Sequence, residues 1–326
     1  MATYGDVKVS TLNGGPLSGF RNRIINGDMR IDQRNNGASV ANINGYSVDR
    51  WASFNIANSF SAQRSTTAPA GFTNSLLFTT TTSATPSAAD YRFVGQFIEG
   101  FNVADLGWGT ANAQPVTLSF WVRSSLTGNF SAAIKNSAEN RSYPFVFTIN
   151  SAGTFEYKTI TIPGDTTGTW LTDNGIGLRI HFNLGSGSNF LGAANTWAAS
   201  SLNGVTGSTA LVATNGATFY ITGVQLEKGT VATPFEFRSI GQEEQLCYRY
   251  YEVANAAAGS RSGDNIAVMF AYFKATKRAI PSFVFTPTQG GTVTLSVAYT
   301  TGAEFYNSPP GASSAGRTVY AASAEL

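Results

Sequence analysis

The sequence predicts an all-β fold: a jelly-roll-like β-sandwich, then a short helix, then a smaller C-terminal β domain. Three observations lead there. Apolar and polar residues alternate with a period of two in segment after segment, as half-buried strands require. Turn chemistry rich in Gly, Asn and Ser separates those segments. A helix start signal stands near residue 240, between two strand-rich regions.

Residues 1–19 read as an attachment segment and 20–239 as the sandwich. Within it, 91–99, 143–149, 154–162 and 218–226 are strand-like. Val116, Leu118, Phe120 and Val122 alternate with Thr117, Ser119, Trp121 and Arg123, which places the first set inward and the second outward. Ile176, Leu178, Ile180 and Phe182 alternate in the same way with Gly177, Arg179, His181 and Asn183. Residues 126–129 and 150–153 supply turns. Two long polar connections, 79–89 and 185–216, are of a length that is usually functional or mobile. Ser239 and Gln242 have capping-box spacing, and Glu243 and Glu244 suit the first turn of a helix. That helix is expected from Ile240 to Tyr251, within a connecting segment 240–252. The C-terminal domain, 253–326, follows with strands at 266–275, 281–286 and 292–300.

The composition narrows the function. A chain of 326 residues suggests about two domains. Only 12% of residues are charged, against about 25% in ordinary domains, so the surface is built from Ser, Thr, Asn, Gly and Ala. The net charge is +2 and no Lys/Arg block exists, which excludes nucleic acid as a partner. The single cysteine, Cys247, forbids a disulfide framework within the chain. The first ten residues hold no apolar signal region, and no run has the length of a membrane span. No membrane insertion is expected, and synthesis in a bacterial cytoplasm is.

Catalytic constellations are poorly supplied. His181 is the only histidine, so a Ser-His-Asp relay or a His-rich metal site would depend on it, and its place on a strand reads as a surface or interstrand side chain. Asp28, Asp32, Asp49, Asp105, Asp165 and Asp173 are the acids from which a glycan-hydrolysing pair would be drawn, but several sit in turn contexts where acids cap the backbone. Residues 185–189 are Gly-rich without the lysine or strand–helix setting of a nucleotide loop. Aromatic residues are abundant at 13%. Trp108, Trp170 and Trp197 lie in Gly/Thr/Asn-rich segments, and Trp121 has outward strand parity, so these four are the candidate carbohydrate contacts.

Several phrases carry a resemblance. Residues 23–29, with Asn26-Gly27-Asp28, resemble the opening strand of carbohydrate-binding-module sandwiches. Residues 46–51, ending in Asp49-Arg50-Trp51, resemble a phrase of phage tail and fibre proteins, with Trp51 in the core. Residues 218–227 look like the closing strand of the same sandwich. Residues 229–239, with Thr233-Pro234-Phe235-Glu236-Phe237, and then 243–251 are similar to a signature of phage structural proteins. The end, 321–326, looks like the close of that family. The chain thus resembles a phage tail fibre or virion surface protein with a carbohydrate-binding-module-like sandwich and a variable C-terminal β domain. The resemblance implies a non-catalytic homotrimer on the phage particle that contacts other virion proteins and adheres to a host surface glycan. It also implies a possible structural Ca²⁺ between first and last strands, for which Asn26, Asp28 and Glu227 are the first candidates; no other cofactor is expected. A decoration or assembly protein of capsid or tail without a sugar site is the alternative reading, and a polysaccharide depolymerase the third.

Overall fold

The computed structural model describes residues 11–12, 15–16, 20–55, 59–260, 267–287, 292–308 and 317–326. The expected attachment segment, 1–19, lies mostly outside the described residues. Thr11–Leu12 (β1) and Gly15–Pro16 (β2) form a two-stranded ladder within it.

Two compact units make up the chain. The first comprises Met1–Arg30, Gly37–Ser47 and Trp51–Phe237; the second comprises Ile31–Asn36, Val48–Arg50 and Arg238–Leu326. The first unit is a sandwich of two six-stranded antiparallel sheets. Its strands are Val40–Ala41 (β3), Gly45–Tyr46 (β4), Ala52–Asn55 (β5), Phe60–Ser65 (β6), Ser75–Thr80 (β7), Arg92–Glu99 (β8), Val116–Ser124 (β9), Gly128–Lys135 (β10), Ser142–Ile149 (β11), Glu156–Ile162 (β12), Ile176–Asn183 (β13), Leu191–Gly192 (β14), Gly204–Val205 (β15) and Thr218–Lys228 (β16). One sheet runs β11-β10-β13-β8-β5-β4 and the other β12-β9-β16-β7-β6-β3.

The period-two reading places most of the inward set, although Ile176 is only half-buried and Thr117 and Ser119 of the outward set are buried too. Val116, Leu118, Phe120 and Val122 of β9 and Leu178, Ile180 and Phe182 of β13 are fully buried. Phe120 of one sheet meets Phe147 and Phe182 of the other edge-to-face, each at 5.1 Å between ring centroids. Such pairs add about 0.5–1.5 kcal/mol to the burial of each ring. The Asn26-Gly27-Asp28 phrase has a steric cause. A Cβ at Gly27 would lie 2.2 Å from the Val224 carbonyl oxygen, so only glycine fits where the first segment meets β16. Trp51 is fully buried, and its indole N–H donates to the Asn26 carbonyl at 3.0 Å.

The long connection 185–216 does not stand away from the sandwich. β14 and β15 pair in parallel, Ser142 and Ala198 exchange backbone hydrogen bonds, and Thr209 N–H donates to the Asn129 carbonyl at 2.7 Å. The connection thereby covers part of the outer face of the first sheet. His181 is consequently not a surface residue: it is fully buried, with its ring stacked 3.8 Å from that of Phe93.

The second unit holds the helix, Ile240–Tyr248 (α1), and a six-stranded antiparallel sheet. The strands are Tyr251–Ser260 (β17), Ala267–Tyr272 (β18), Ser282–Pro287 (β19), Thr292–Ala298 (β20), Gly302–Ser308 (β21) and Arg317–Ser323 (β22), in the order β19-β22-β17-β18-β21-β20. The Ser239–Gln242 capping box is present in both directions. The helix ends three residues before the expected Tyr251 because Tyr251 already pairs with Ser323 in the sheet. Met269, Phe305, Tyr320 and Ala322 centre this unit's core. Among the described residues no helix is long and apolar enough to cross a membrane.

Candidate functional site

An aromatic groove crosses the outer face of the sheet β12-β9-β16-β7-β6-β3. Its floor follows from strand register: Trp121 of β9 sits opposite Tyr157 of β12 on one side and Thr222 of β16 on the other. The Trp121 and Tyr157 rings lie 5.4 Å apart at 48°. Ser119 and Thr159, one outward step along β9 and β12, add hydroxyls to the same surface. Next to Thr222 the register of β16 slips, and Gly223 adopts φ +59°. A Cβ there would stand 2.7 Å from Phe72 Cζ and 3.1 Å from Trp121 Cδ1. The glycine therefore lets these two rings close over the bulge. The groove encloses about 650 Å³, well inside the range of small-molecule sites of about 300–1,000 Å³.

The far wall is the arm that follows β16. Phe72, Phe235 and Phe237 form a triad with centroid separations of 5.2, 5.2 and 4.9 Å. Buried polar side chains strap the arm down. Glu227 accepts from the Thr233 N–H at 2.8 Å, the Thr233 hydroxyl at 2.7 Å and the Gln225 amide at 3.0 Å. Gln225 Oε1 accepts from the Glu236 N–H at 2.8 Å, and Glu236 in turn accepts from the backbone N–H groups of Arg21 and Asn22.

The five tryptophans divide by what their indole N–H groups do. Those of Trp51, Trp108, Trp170 and Trp197 donate to backbone carbonyls, of Asn26, Gln114, Thr167 and Pro163, at 2.7–3.2 Å. Among the described residues the Trp121 indole N–H, the Tyr157 hydroxyl, and the Ser119 and Thr159 hydroxyls have no partner. The groove thus combines flat aromatic faces with a rim of unused donors and acceptors.

The other candidate tryptophans are brought together elsewhere. Trp108, Trp170 and Trp197 pack mutually edge-to-face, at 4.6, 5.4 and 5.6 Å. Trp108 is buried and the other two are half-buried. Arg141 lies over Trp197 at 5.9 Å and grips Asp165 with two hydrogen bonds, at 2.7 and 2.8 Å. Burial lifts the Asp165 carboxyl, but the bonds from Arg141 and Thr167 bring it below its ordinary range. With their N–H groups tied to loop carbonyls, these three rings staple their loops together.

The calcium candidates are each engaged within the protein. Asp28 pairs with Arg30, although burial outweighs the arginine and holds its carboxyl above the usual value. Both oxygens of Glu227 serve the arm, and the Asn26 carbonyl accepts from Trp51 and Met29. No group of three His, Cys, Asp or Glu side chains suited to a metal occurs among the described residues. The acids considered for hydrolysis are also occupied: Asp32 caps Asn35 N–H, Asp49 pairs with Arg34, Asp105 with Arg23, and Asp173 caps Gly175 N–H.

Sequence reasoning singled out Trp121 but not Phe72, Tyr157, Phe235 or Phe237. Tyr157 carries the outward parity of its strand, and Phe235 and Phe237 alternate within the most specific phrase of the family resemblance, so both signals were present. Phe72 sits in a turn, where periodicity says nothing.

No protein-family profile matches the chain, and no curated protein does. Among solved structures it is similar to a protein from Bacteroides thetaiotaomicron provisionally described as sugar-binding, at 14% identity and TM-score 0.37, over 64% of this chain and 99% of that one. It is also similar to the enzymatically active domain of bacteriophage CBA120 tailspike protein 4, at 12% identity and TM-score 0.34, over 65% of this chain and 22% of that one. A third is the family 11 carbohydrate-binding module of the cellulosomal cellulase Lic26A-Cel5E of Clostridium thermocellum, at 16% identity and TM-score 0.29, over 60% and 98%. At such identities and scores, function rests on this chain's own surfaces.

Proposed function

We propose that this chain is a bacteriophage virion surface protein, a tail fibre or short fibre, that adheres to host cell-surface glycans without catalysis through the Trp121 groove. The observation that carries the reading is the unused Trp121 indole N–H beside Tyr157, Ser119 and Thr159. The π face of an indole is electron-rich and meets the C–H face of a pyranose, while the rim groups reach its hydroxyls. The engaged state of the aspartates supports the non-catalytic part. The phage assignment is supported by the phrases around Asn26, Trp51 and Pro234. Three copies in a fibre on the particle, held by other virion proteins, convert weak single contacts into firm adhesion by raising the effective concentration.

The test is retention of fluorescently labelled protein on host cells before and after periodate oxidation of their glycans. Loss of retention on oxidation, and its loss in Trp121→Ala, is the expected result. Retention that survives both treatments removes the reading. The exposed Phe237 (58%) and its two partner rings favour one competitor, a decoration or assembly protein docking another virion protein in the same groove. That reading expects particles to lose the protein, and cells not to retain it, when Phe237 is replaced by Ser.

A further inference from the structure

We propose a second and separate binding pocket, on the outer face of the opposite sheet, that takes a single acidic pyranose ring of the hexuronate class. Its walls are largely aromatic: Phe54, Tyr91, Phe93 and Phe190 surround a cavity of about 290 Å³, which the paired Glu139 and Arg179 side chains also line. Phe54 and Phe93 lie 5.1 Å apart, and Tyr91 and Phe190 meet edge-to-face at 5.6 Å. That volume, at the low end of small-molecule sites, suits one ring and not a chain.

The floor is a built polar network. Asn203 lines the cavity and is 1% exposed. Its Oδ1 accepts from Lys135 Nζ at 3.0 Å and faces His181 Nδ1 at 3.1 Å. An ammonium can only donate, so this atom is the amide oxygen, and His181 Nδ1 must carry its proton to approach it. The Asn203 NH₂ is then the free end of the side chain. It has no acceptor among the described residues and, unlike His181 Nε2, it is not sealed from the cavity. The Tyr91 hydroxyl likewise has no partner among the described residues. Fixed amide donors between aromatic walls are what a hydroxyl-bearing ring needs for orientation.

Charge selects the acidic member of that class. Glu139 pairs with Lys135 at 2.6 Å and with Arg179 at 3.0 Å. Two cations therefore share one carboxylate, and one positive charge is left over, with Lys135 buried and Arg179 partly exposed at the cavity. His181 adds none, since burial and the neighbouring Lys135 hold it neutral. A carboxylate on the ligand neutralises the excess where the dielectric is low.

The experiment uses the full chain and exploits its single histidine. The ring resonances of His181, one hydrogen bond from Asn203, need no sorting from others. Methyl glucuronide is titrated against methyl glucoside while the His181 ring and the Trp121 indole N–H are followed by NMR. The expected result is a saturable His181 shift with the glucuronide and affinity about tenfold lower or worse with the glucoside. Because Asn203 also holds Lys135 and His181, its alanine variant risks misfolding. Tyr91→Ala is the second variant, expected to weaken glucuronide binding about tenfold while the unliganded His181 resonances keep their positions. Trp121→Ala should bind the glucuronide as the unaltered protein does, which separates this pocket from the groove. No His181 shift, equal affinity for the two sugars, or unchanged binding in Tyr91→Ala overturns the proposal. A shift confined to the Trp121 indole also overturns it, while leaving the groove reading intact.

Discussion

Glu227 grips Thr233 twice: one carboxylate oxygen accepts its N–H at 2.8 Å and the other its hydroxyl at 2.7 Å, with both side chains buried. Thr233 begins the arm that carries Pro234, Phe235 and Phe237 into the groove. Thr233→Val keeps the shape but removes the hydroxyl, leaving a buried carboxylate oxygen short of a donor. The expected cost is about 1–3 kcal/mol of stability in the first unit. Periodate-sensitive cell retention should weaken with it, because the arm loses its anchor. Chemical denaturation followed through the tryptophans checks the first effect. An unchanged midpoint would show that the arm is held by something else.

The same grip bears on calcium. With Glu227 committed to the arm and Asp28 to Arg30, chelator should leave the thermal midpoint of the protein unchanged, and Asp28→Ala should lower it equally with and without added Ca²⁺. A midpoint that falls on adding EDTA and returns with Ca²⁺ would show that these acids rearrange around an ion.

The tryptophans should separate cleanly by variant. Trp197→Ala and Trp108→Ala each break two edge-to-face contacts and an indole hydrogen bond, and large-to-small changes of this kind cost roughly 3–5 kcal/mol when the ring is buried. Trp197, being half-buried, should fall below that range and Trp108 within it. Trp121→Ala should shift the melting temperature least and cell retention most. If Trp121→Ala destabilises as strongly as Trp108→Ala, the groove is a packing surface.

Much of this was legible in the sequence, and the missing part has a physical reason. Alternation in β9 and β13 marked the inward set because burial between two sheets demands a period of two. The capping box at Ser239 was readable because its two hydrogen bonds are local. Parity also faced Trp121 outward. Parity could not say that 185–216 would lie down over β13 and bury His181, since that depends on pairing such as Ser142 with Ala198, residues far apart in the chain. Nor could it place Phe72 beside Gly223, a contact between a turn and a register slip within β16. The three other tryptophans share the composition of sugar-binding loops; geometry adds that they pack on one another, with Trp108 and Trp170 also lining a cavity of about 200 Å³.

Acid should act on Asp49 and Glu139 in opposite senses. In the second unit, burial raises Asp49 to about 6 against the pull of Arg34. Its folded value lies above the unfolded one near 3.8, so the folded state binds the extra proton. The ionised carboxylate therefore costs stability at neutral pH, and the cost, on the order of 3 kcal/mol, disappears as pH falls from about 6 to 4. In the first unit, burial works against Glu139 but its pairing with Lys135 prevails and lowers it to about 2. Its contribution is complete above about 4.5 and is lost as pH falls toward 2. Calorimetry from pH 7 to 4 should show the second unit's transition rising relative to the same transition in Asp49→Asn, whose profile should be flatter. Parallel profiles would remove Asp49 as the source.

A buried ion pair in the second unit gives the sharpest test of its core. Lys277 Nζ lies 3.0 Å from Glu252 Oε2, and neither side chain has any exposure. Tyr320 donates to the other carboxylate oxygen at 3.0 Å, and Lys277 also donates to the Tyr248 carbonyl at the end of α1. The pair therefore ties the helix to β17 and β22. Lys277→Met strands a buried carboxylate, and removing one partner of such a pair costs roughly 3–5 kcal/mol. Adding Glu252→Gln removes the stranded charge yet leaves an acceptor for Tyr320. The double variant should thus be more stable than Lys277→Met alone, although it carries one more substitution. A double-mutant cycle on denaturation midpoints measures the coupling. Strictly additive effects would mean that the two side chains do not stabilise each other, and would remove the pair as the tie between α1 and the sheet.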